Sequence, residues 1–163
     1  MARVKNPFVV TGKIEREYFC DRVEESRKIV KSINNGNNIV LISPRRMGKT
    51  GLMRYCYDFE FGKDEYYTFF IDILHTTSLQ EFTYLLGIHT LKSISGQFGF
   101  DPISNTPTFN LSLGDIVRPE LTLEEIFLYL EQADRPCIVT IDEFQQISKY
   151  PEKNVEALLR THV

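Results

Sequence analysis

The residues best suited to chemistry lie in the stretch Asn38 to Thr50, which reads NIVLISPRRMGKT. A short apolar run, Ile39 to Ile42, enters Ser43-Pro44-Arg45-Arg46-Met47-Gly48-Lys49-Thr50, and a helix-like segment, Leu52 to Phe61, follows. A strand, a loop and a helix with Gly-Lys-Thr at the turn form the context that a phosphate-binding loop requires. Backbone N–H groups of such a loop point at phosphate oxygens. Gly48 permits close approach of the backbone. Lys49 can reach the β- and γ-phosphates as a compact cation. Thr50 can offer its hydroxyl to Mg²⁺, which keeps several waters and bridges phosphate oxygens. A Gly usually begins this motif, and Ser43 stands there instead. The loop must then enter without a positive φ, or carry strain.

A second group with chemical meaning lies far downstream. Cys137-Ile138-Val139-Thr140-Ile141 is a short apolar run that ends in Asp142-Glu143. Such a run suits a strand of a parallel sheet buried on both faces. Ligands of open α/β sheets bind at the carboxyl ends of the strands. Asp142 is therefore expected beside the phosphate loop as a ligand of Mg²⁺, directly or through water. Glu143 is expected to orient or deprotonate a water that attacks the γ-phosphate. Solvated acids at strand ends are common; the two patterns together, in this order and polarity, favour the site. Asp72 ends another strand-like run, and there the solvated strand-end reading is preferred.

Composition narrows the class. The length of 163 residues fits one domain with one core. There is no apolar run of about 18 residues, so no membrane span is expected. The N-terminus lacks the apolar core of a signal peptide. Cys20, Cys56 and Cys137 are far apart and form no C-x-x-C, which points to the reducing cytoplasm and away from a disulfide framework or a zinc site. His75, His89 and His162 show no ligand spacing. The net charge of −3 is unevenly spread: residues 1–57 hold 12 Lys/Arg against 5 Asp/Glu, and residues 58–163 hold 7 against 17. A basic N-terminal part fits a polyphosphate site near Arg45, Arg46 and Lys49. An acidic chain is a weak candidate for gripping DNA by itself.

The elements that must position these groups follow from periodicity and caps. Asn6 to Val10 reads as a short extended piece. Asp21 and Glu24 resemble a capping box before a helix with Val23, Ile29, Val30 and Ile33 on its apolar stripe, and Asn34-Asn35-Gly36-Asn37 stops it. Leu52, Met53, Cys56 and Phe59 mark the buried side of the helix after the loop. Tyr66 to Ile73 reads as a strand. Ser78 to Glu81 is a capping box that opens a helix to about Ser95, with Leu79, Phe82, Leu85, Leu86 and His89 near its core face. Gly96 to Pro119 is irregular, with Phe109, Leu111 and Leu113 alternating as in a short strand. Thr122 to Glu125 is a third box, ahead of Leu123, Ile126, Phe127 and Leu130. Pro151 is expected to start a last helix with Val155, Leu158 and Leu159. Strands alternating with helices give an α/β fold with a mainly parallel sheet.

With Phe19-Cys20-Asp21-Arg22, the Ser-Pro-Arg-Arg-Met-Gly-Lys-Thr loop and Ile141-Asp142-Glu143-Phe144, the chain resembles the archaeal-type ATPase family, a branch of the AAA+/STAND P-loop ATPases. The resemblance covers nearly the whole chain. It implies a three-layer P-loop NTPase fold, a domain spanning 1–163, and a segment 1–21 near the nucleotide base, with Phe19 to Arg22 by the adenine and ribose. It implies ATP and Mg²⁺ as cofactors. The nucleotide would be held by Ser43, Pro44, Arg45, Arg46, Met47, Gly48, Lys49, Thr50, Gly51 and Arg22, and the metal by Thr50 and Asp142. Catalysis would fall to Glu143 and Lys49. Family members continue with a strand bearing a polar sensor residue, a helical or winged-helix lid and often an effector domain, so this chain is expected to end before the lid.

The resulting expectation is an ATP-binding domain that hydrolyses ATP in the full-length protein and drives conformational change in attached or partner parts. The alternative is a nucleotide-binding switch or scaffold with little hydrolysis. A small-molecule kinase fits less well, because no acceptor site or arginine-bearing lid is evident. ATP or ADP is the expected ligand, a homo-oligomer is compatible, and a protein or nucleic-acid partner would be engaged outside this chain.

Overall fold

The computed structural model describes residues 22–44, 47–62, 64–98 and 116–162. The chain forms two compact units, Met1–Gly62 and Lys63–Val163. The expected extended piece at Asn6 to Val10, the Asp21 cap and the alternating run at Phe109 to Leu113 lie outside the described residues.

In the first unit, helix α1 spans Val23–Asn34, with Arg22 at the cap position. Ile29 is buried and Val30 and Ile33 are half-buried, whereas Val23 is exposed, so the stripe is narrower than its sequence implies. The helix stops where Asn35-Gly36 requires it to. Gly36 takes a positive φ of 72°. That bend lets its N–H donate to the Ile33 carbonyl and the Asn37 N–H to the Ser32 carbonyl, the paired bonds that close a helix end. Helix α2, Lys49–Tyr55, continues into a π-helical turn, Cys56–Glu60. Leu52, Met53, Tyr55, Cys56 and Phe61 are buried, and the Tyr55 and Phe59 rings meet at 5.1 Å.

The apolar run Ile39 to Ile42 is not a strand. Val40 and Ile42 are 81% and 91% exposed. A strand exists only where a neighbour takes up its backbone N–H and C=O groups. Among the described residues the sheet has two strands, neither of them this run.

The second unit holds that sheet. Strand β1, Tyr67–Asp72, pairs in parallel with β2, Cys137–Asp142, in a register that sets Tyr67 beside Cys137 and Asp72 beside Asp142. Helices α3, Leu79–Phe98, and α4, Pro119–Glu131, make the crossover. A 3₁₀ segment, Phe144–Lys149, and helix α5, Val155–Arg160, follow β2. The core gathers Phe69, Ile71, Leu79, Phe82, Leu86, Leu123, Ile126 and Leu159. Tyr67, Phe69 and Ile71 are buried on alternate positions of β1. β2 is mostly half-buried rather than covered on both faces.

Three caps differ from expectation. At Ser78 the box is half made. The Glu81 N–H donates to the Ser78 hydroxyl, but the Glu81 carboxylate takes the N–H and hydroxyl of Thr77. The Leu79 N–H donates to Glu152 instead. At Thr122 no box forms. Pro119 starts α4 three residues earlier, its fixed φ suited to a first helical turn, and the Thr122 hydroxyl donates back to the Arg118 carbonyl within the helix. Pro151 does not begin α5. Asn154, with a φ of 66°, precedes a helix that starts at Val155.

Tyr67 anchors the amino end of β1. Its hydroxyl donates to Asp134 at 2.9 Å, and the Arg135 guanidinium lies 5.1 Å over its ring. Burial, then the Asp134 contact, pushes the Tyr67 phenol up to about 12. Burial likewise lifts the Cys137 thiol to about 11 and the Cys56 thiol to about 12. Each of these groups keeps its proton to higher pH in the folded chain than in the unfolded one. Their contribution is full below the ordinary thiol value of 9 and is lost as pH rises towards 12. Urea midpoints measured from pH 7 to 12 should hold steady and then fall above pH 9. Tyr67→Phe should cost about 1 kcal/mol at neutral pH and flatten the decline between pH 10 and 12; a decline of unchanged steepness would remove Tyr67 from this account.

Candidate functional site

The loop before α2 is organised by Gly48. Its φ of 71° and ψ of 23° are left-handed, which is open to glycine and strained for a residue with a Cβ. From this turn the chain enters the helix directly: the Leu52 N–H donates to the Gly48 carbonyl at 2.9 Å. Lys49 and Thr50 are thereby the first two helical residues, both half-buried. The Lys49 ammonium turns back over the loop and donates to the Ser43 carbonyl at 2.9 Å, tying the loop's first residue to its last turn.

Ser43 meets the demand of its position without strain. Among the described residues only Glu143 and Asn154 are non-glycine residues with a positive φ, so the loop enters through ordinary backbone geometry. Pro44 and Met47 are exposed, and Gly51 continues the helix. Arg45 and Arg46 lie outside the described residues.

Arg22 meets this loop. Its Nη1 donates to the Met47 carbonyl at 2.8 Å, and its Nε pairs with the Glu25 carboxylate one helical turn on. That hydrogen bond is the main cause holding the Glu25 carboxyl below its ordinary value. The chain brings Arg22, Ser43, Met47, Gly48 and Lys49 together in one unit. Glu25, to which sequence reasoning assigns no role, joins them through Arg22; its spacing of three residues from Arg22 was the available signal.

The acidic pair belongs to the second unit. Asp142 closes β2, and its carboxylate accepts the Glu143 N–H at 3.0 Å. Glu143 takes a φ of 57° and a ψ of 36°, left-handed and uncommon for its type. The Gln145 side chain donates to the Glu143 carboxylate. The 3₁₀ segment beyond is fastened to the loop after β1: Gln146 Nε2 donates to the Thr76 carbonyl at 2.9 Å, and the Tyr150 and Thr76 hydroxyls share a buried hydrogen bond. Gln146 and Tyr150 carried no sequence signal, since contacts across 70 or more residues are set by the fold. Asp72, in register with Asp142, is exposed and accepts the Leu74 N–H at 2.9 Å, as a solvated strand-end acid does.

The donor set fits a nucleotide polyphosphate with a hard divalent cation. A glycine turn of this hand, a lysine ammonium with two further donors, and a threonine hydroxyl at the second helical residue match phosphate oxygens and Mg²⁺. Among the described residues there is no cluster of three or more His, Cys, Asp or Glu side chains suited to a metal. A metal here would take most of its ligands from phosphate and water, as Mg²⁺ commonly does. No described helix is long and apolar enough to cross a membrane.

No curated protein and no solved structure matches the chain. A family model described as an ATPase domain predominantly from Archaea matches residues 19–162. That match takes in α1, the Gly48 loop, the parallel sheet and the Asp142-Glu143 pair, so the chain belongs to this family of archaeal-type ATPase domains.

Proposed function

We propose that the chain binds ATP with Mg²⁺ at Ser43 to Gly51 and, within its full-length protein, hydrolyses it to drive conformational change in attached or partner domains. The observation that carries this reading is the loop's closure: a left-handed Gly48, followed at once by Lys49 and Thr50, with the ammonium reaching back to Ser43. Membership of an ATPase family supports nucleotide use. The finer assignment is a P-loop domain of the AAA+/STAND type over 1–163, of three-layer architecture, with residues 1–21 near the base.

Within this reading, Lys49 neutralises phosphate charge, and the N–H groups around Gly48 hold phosphate oxygens. Arg45 and Arg46 add positive charge to the same loop. Thr50 and Asp142 would hold Mg²⁺, which when bound offsets charge on the phosphate oxygens. Glu143 orients the attacking water and takes its proton. Its left-handed backbone and its bond from Gln145 support a carboxylate held in one direction rather than a mobile surface acid. Partner subunits, and a protein or nucleic-acid target engaged outside this chain, complete the proposal.

Calorimetric titration with Mg²⁺-ATP tests it. Lys49→Ala should abolish measurable binding; binding of equal strength in that variant would refute the phosphate site. Gly48→Ala should weaken binding about tenfold, because the left-handed turn costs an alanine about 1–2 kcal/mol. Unaltered affinity would show that the turn is not the binding conformation. In the full-length protein, Glu143→Gln should retain ATP binding and lose steady-state phosphate release by about a hundredfold or more. Normal turnover would remove Glu143 from the catalytic role. Stoichiometric ADP carried through purification, with negligible turnover in the wild type, would convert the reading to that of a switch.

A further inference from the structure

Arg22 lies outside residues 43–51 and reaches the loop with its side chain. Its guanidinium is divided between two acceptors. Nη1 takes the Met47 carbonyl at 2.8 Å and Nε takes Glu25. It also lies against Gly48, where an ideal Cβ would stand 3.6 Å from Nη1. A contact of that length is ordinary, so Gly48 is required by its backbone angles and not by crowding from Arg22.

We propose that Arg22 is a positioning residue for phosphate binding: it fixes the Met47–Gly48 peptide and so aims the Gly48 N–H. The argument rests on peptide geometry. No described peptide bond is cis, and in a planar trans peptide the C=O and the following N–H point in opposite directions. A cation that pins the Met47 carbonyl to its own side therefore turns the Gly48 N–H to the far side. The rotation that this bond restrains is the one that matters most at such a turn. Glycine populates both signs of φ with little preference, so the residue that makes the left-handed turn possible cannot hold it alone. A charge-assisted bond to the preceding carbonyl supplies the missing restraint.

Glu25 gives Arg22 its direction. A guanidinium is planar, with its donors in a fixed fork. Anchoring Nε on a helix-borne carboxylate leaves Nη1 aimed at a defined point, and that point is the loop. The pair also keeps the arginine charge partly neutralised, so its contribution is orientation more than attraction. Arg22 thus acts on phosphate through Met47 and Gly48. This differs from a contact with adenine or ribose.

The inference rests on the phosphate-loop reading above, and the two can be separated by using a ligand without a nucleoside. Mg²⁺-ATP and inorganic tripolyphosphate are titrated into the full chain, as wild type, Arg22→Gln, Arg22→Lys, Glu25→Gln and Lys49→Ala. Arg22→Gln should weaken both ligands by the same factor, about tenfold, as expected for loss of a charged hydrogen bond. Arg22→Lys should recover part of that loss, because one ammonium donor can still reach a carbonyl. Glu25→Gln should weaken both ligands about two- to threefold while keeping the guanidinium. A loss confined to ATP overturns the inference and assigns Arg22 to the nucleoside. Unchanged binding in Arg22→Gln also overturns it. If Arg22→Gln fails to fold by circular dichroism, Glu25→Gln decides: an equal loss for both ligands supports the inference, and no loss overturns it. Lys49→Ala that still binds tripolyphosphate refutes the phosphate loop itself, whereas Lys49→Ala that loses it beside an unaffected Arg22→Gln refutes only the role of Arg22.

Discussion

Gly48 bends the chain with φ 71° and ψ 23°, and the rest of the loop is arranged around that bend. A residue with a Cβ would meet a cost of roughly 1–2 kcal/mol there. Because the turn is made in one residue, helix α2 can begin at Lys49, and the lysine and threonine side chains leave from its first turn. The lysine then spans back to Ser43. The loop is closed by one cation on a backbone carbonyl and by a second, Arg22, on another. Both bonds act on main-chain carbonyls, so the loop's shape is set by charge placed outside the backbone ladder of any sheet.

The second unit depends on a different constraint. Two parallel strands in exact residue register bring two aspartates to one end and the Tyr67–Asp134–Arg135 contacts to the other. The carboxyl end is where the chain leaves regular structure abruptly, through a left-handed residue and a 3₁₀ segment. Ile147 and Tyr150 are buried beneath that exit, and Thr76 holds it from the neighbouring loop. The acidic end is thus fastened on its polar side by hydrogen bonds and on its inner side by apolar contact.

Local signals explain what the sequence revealed and what it hid. The helical stripes of α3 and α4 were legible because Leu79, Phe82 and Leu86, and Leu123, Ile126 and Leu130, recur at helical spacing and are in fact buried. The Gly36 stop and the Gly48 turn were legible because only glycine takes those angles readily. The run Ile39 to Ile42 misled because apolar composition describes what a segment would bury, while pairing decides whether it is a strand. Thr122 misled because a capping box is a local preference, and Pro119 had already begun the helix. The contact of Arg22 with Met47 bridges 25 residues; no spacing rule reaches that far, and only the return of the chain past α1 creates it.

Glu143 shows what selection for robustness alone would do to this domain. Its backbone sits where glycine would be more comfortable by about 1 kcal/mol. The cheapest stabilising change at that corner is therefore also the one that deletes the carboxylate. A library screened only for heat resistance would drift towards a glycine there and deliver sturdier chains with an empty hand at the end of the strand. Any engineering of this domain needs a functional screen running beside the thermal one, with position 143 held fixed until its side chain has been accounted for.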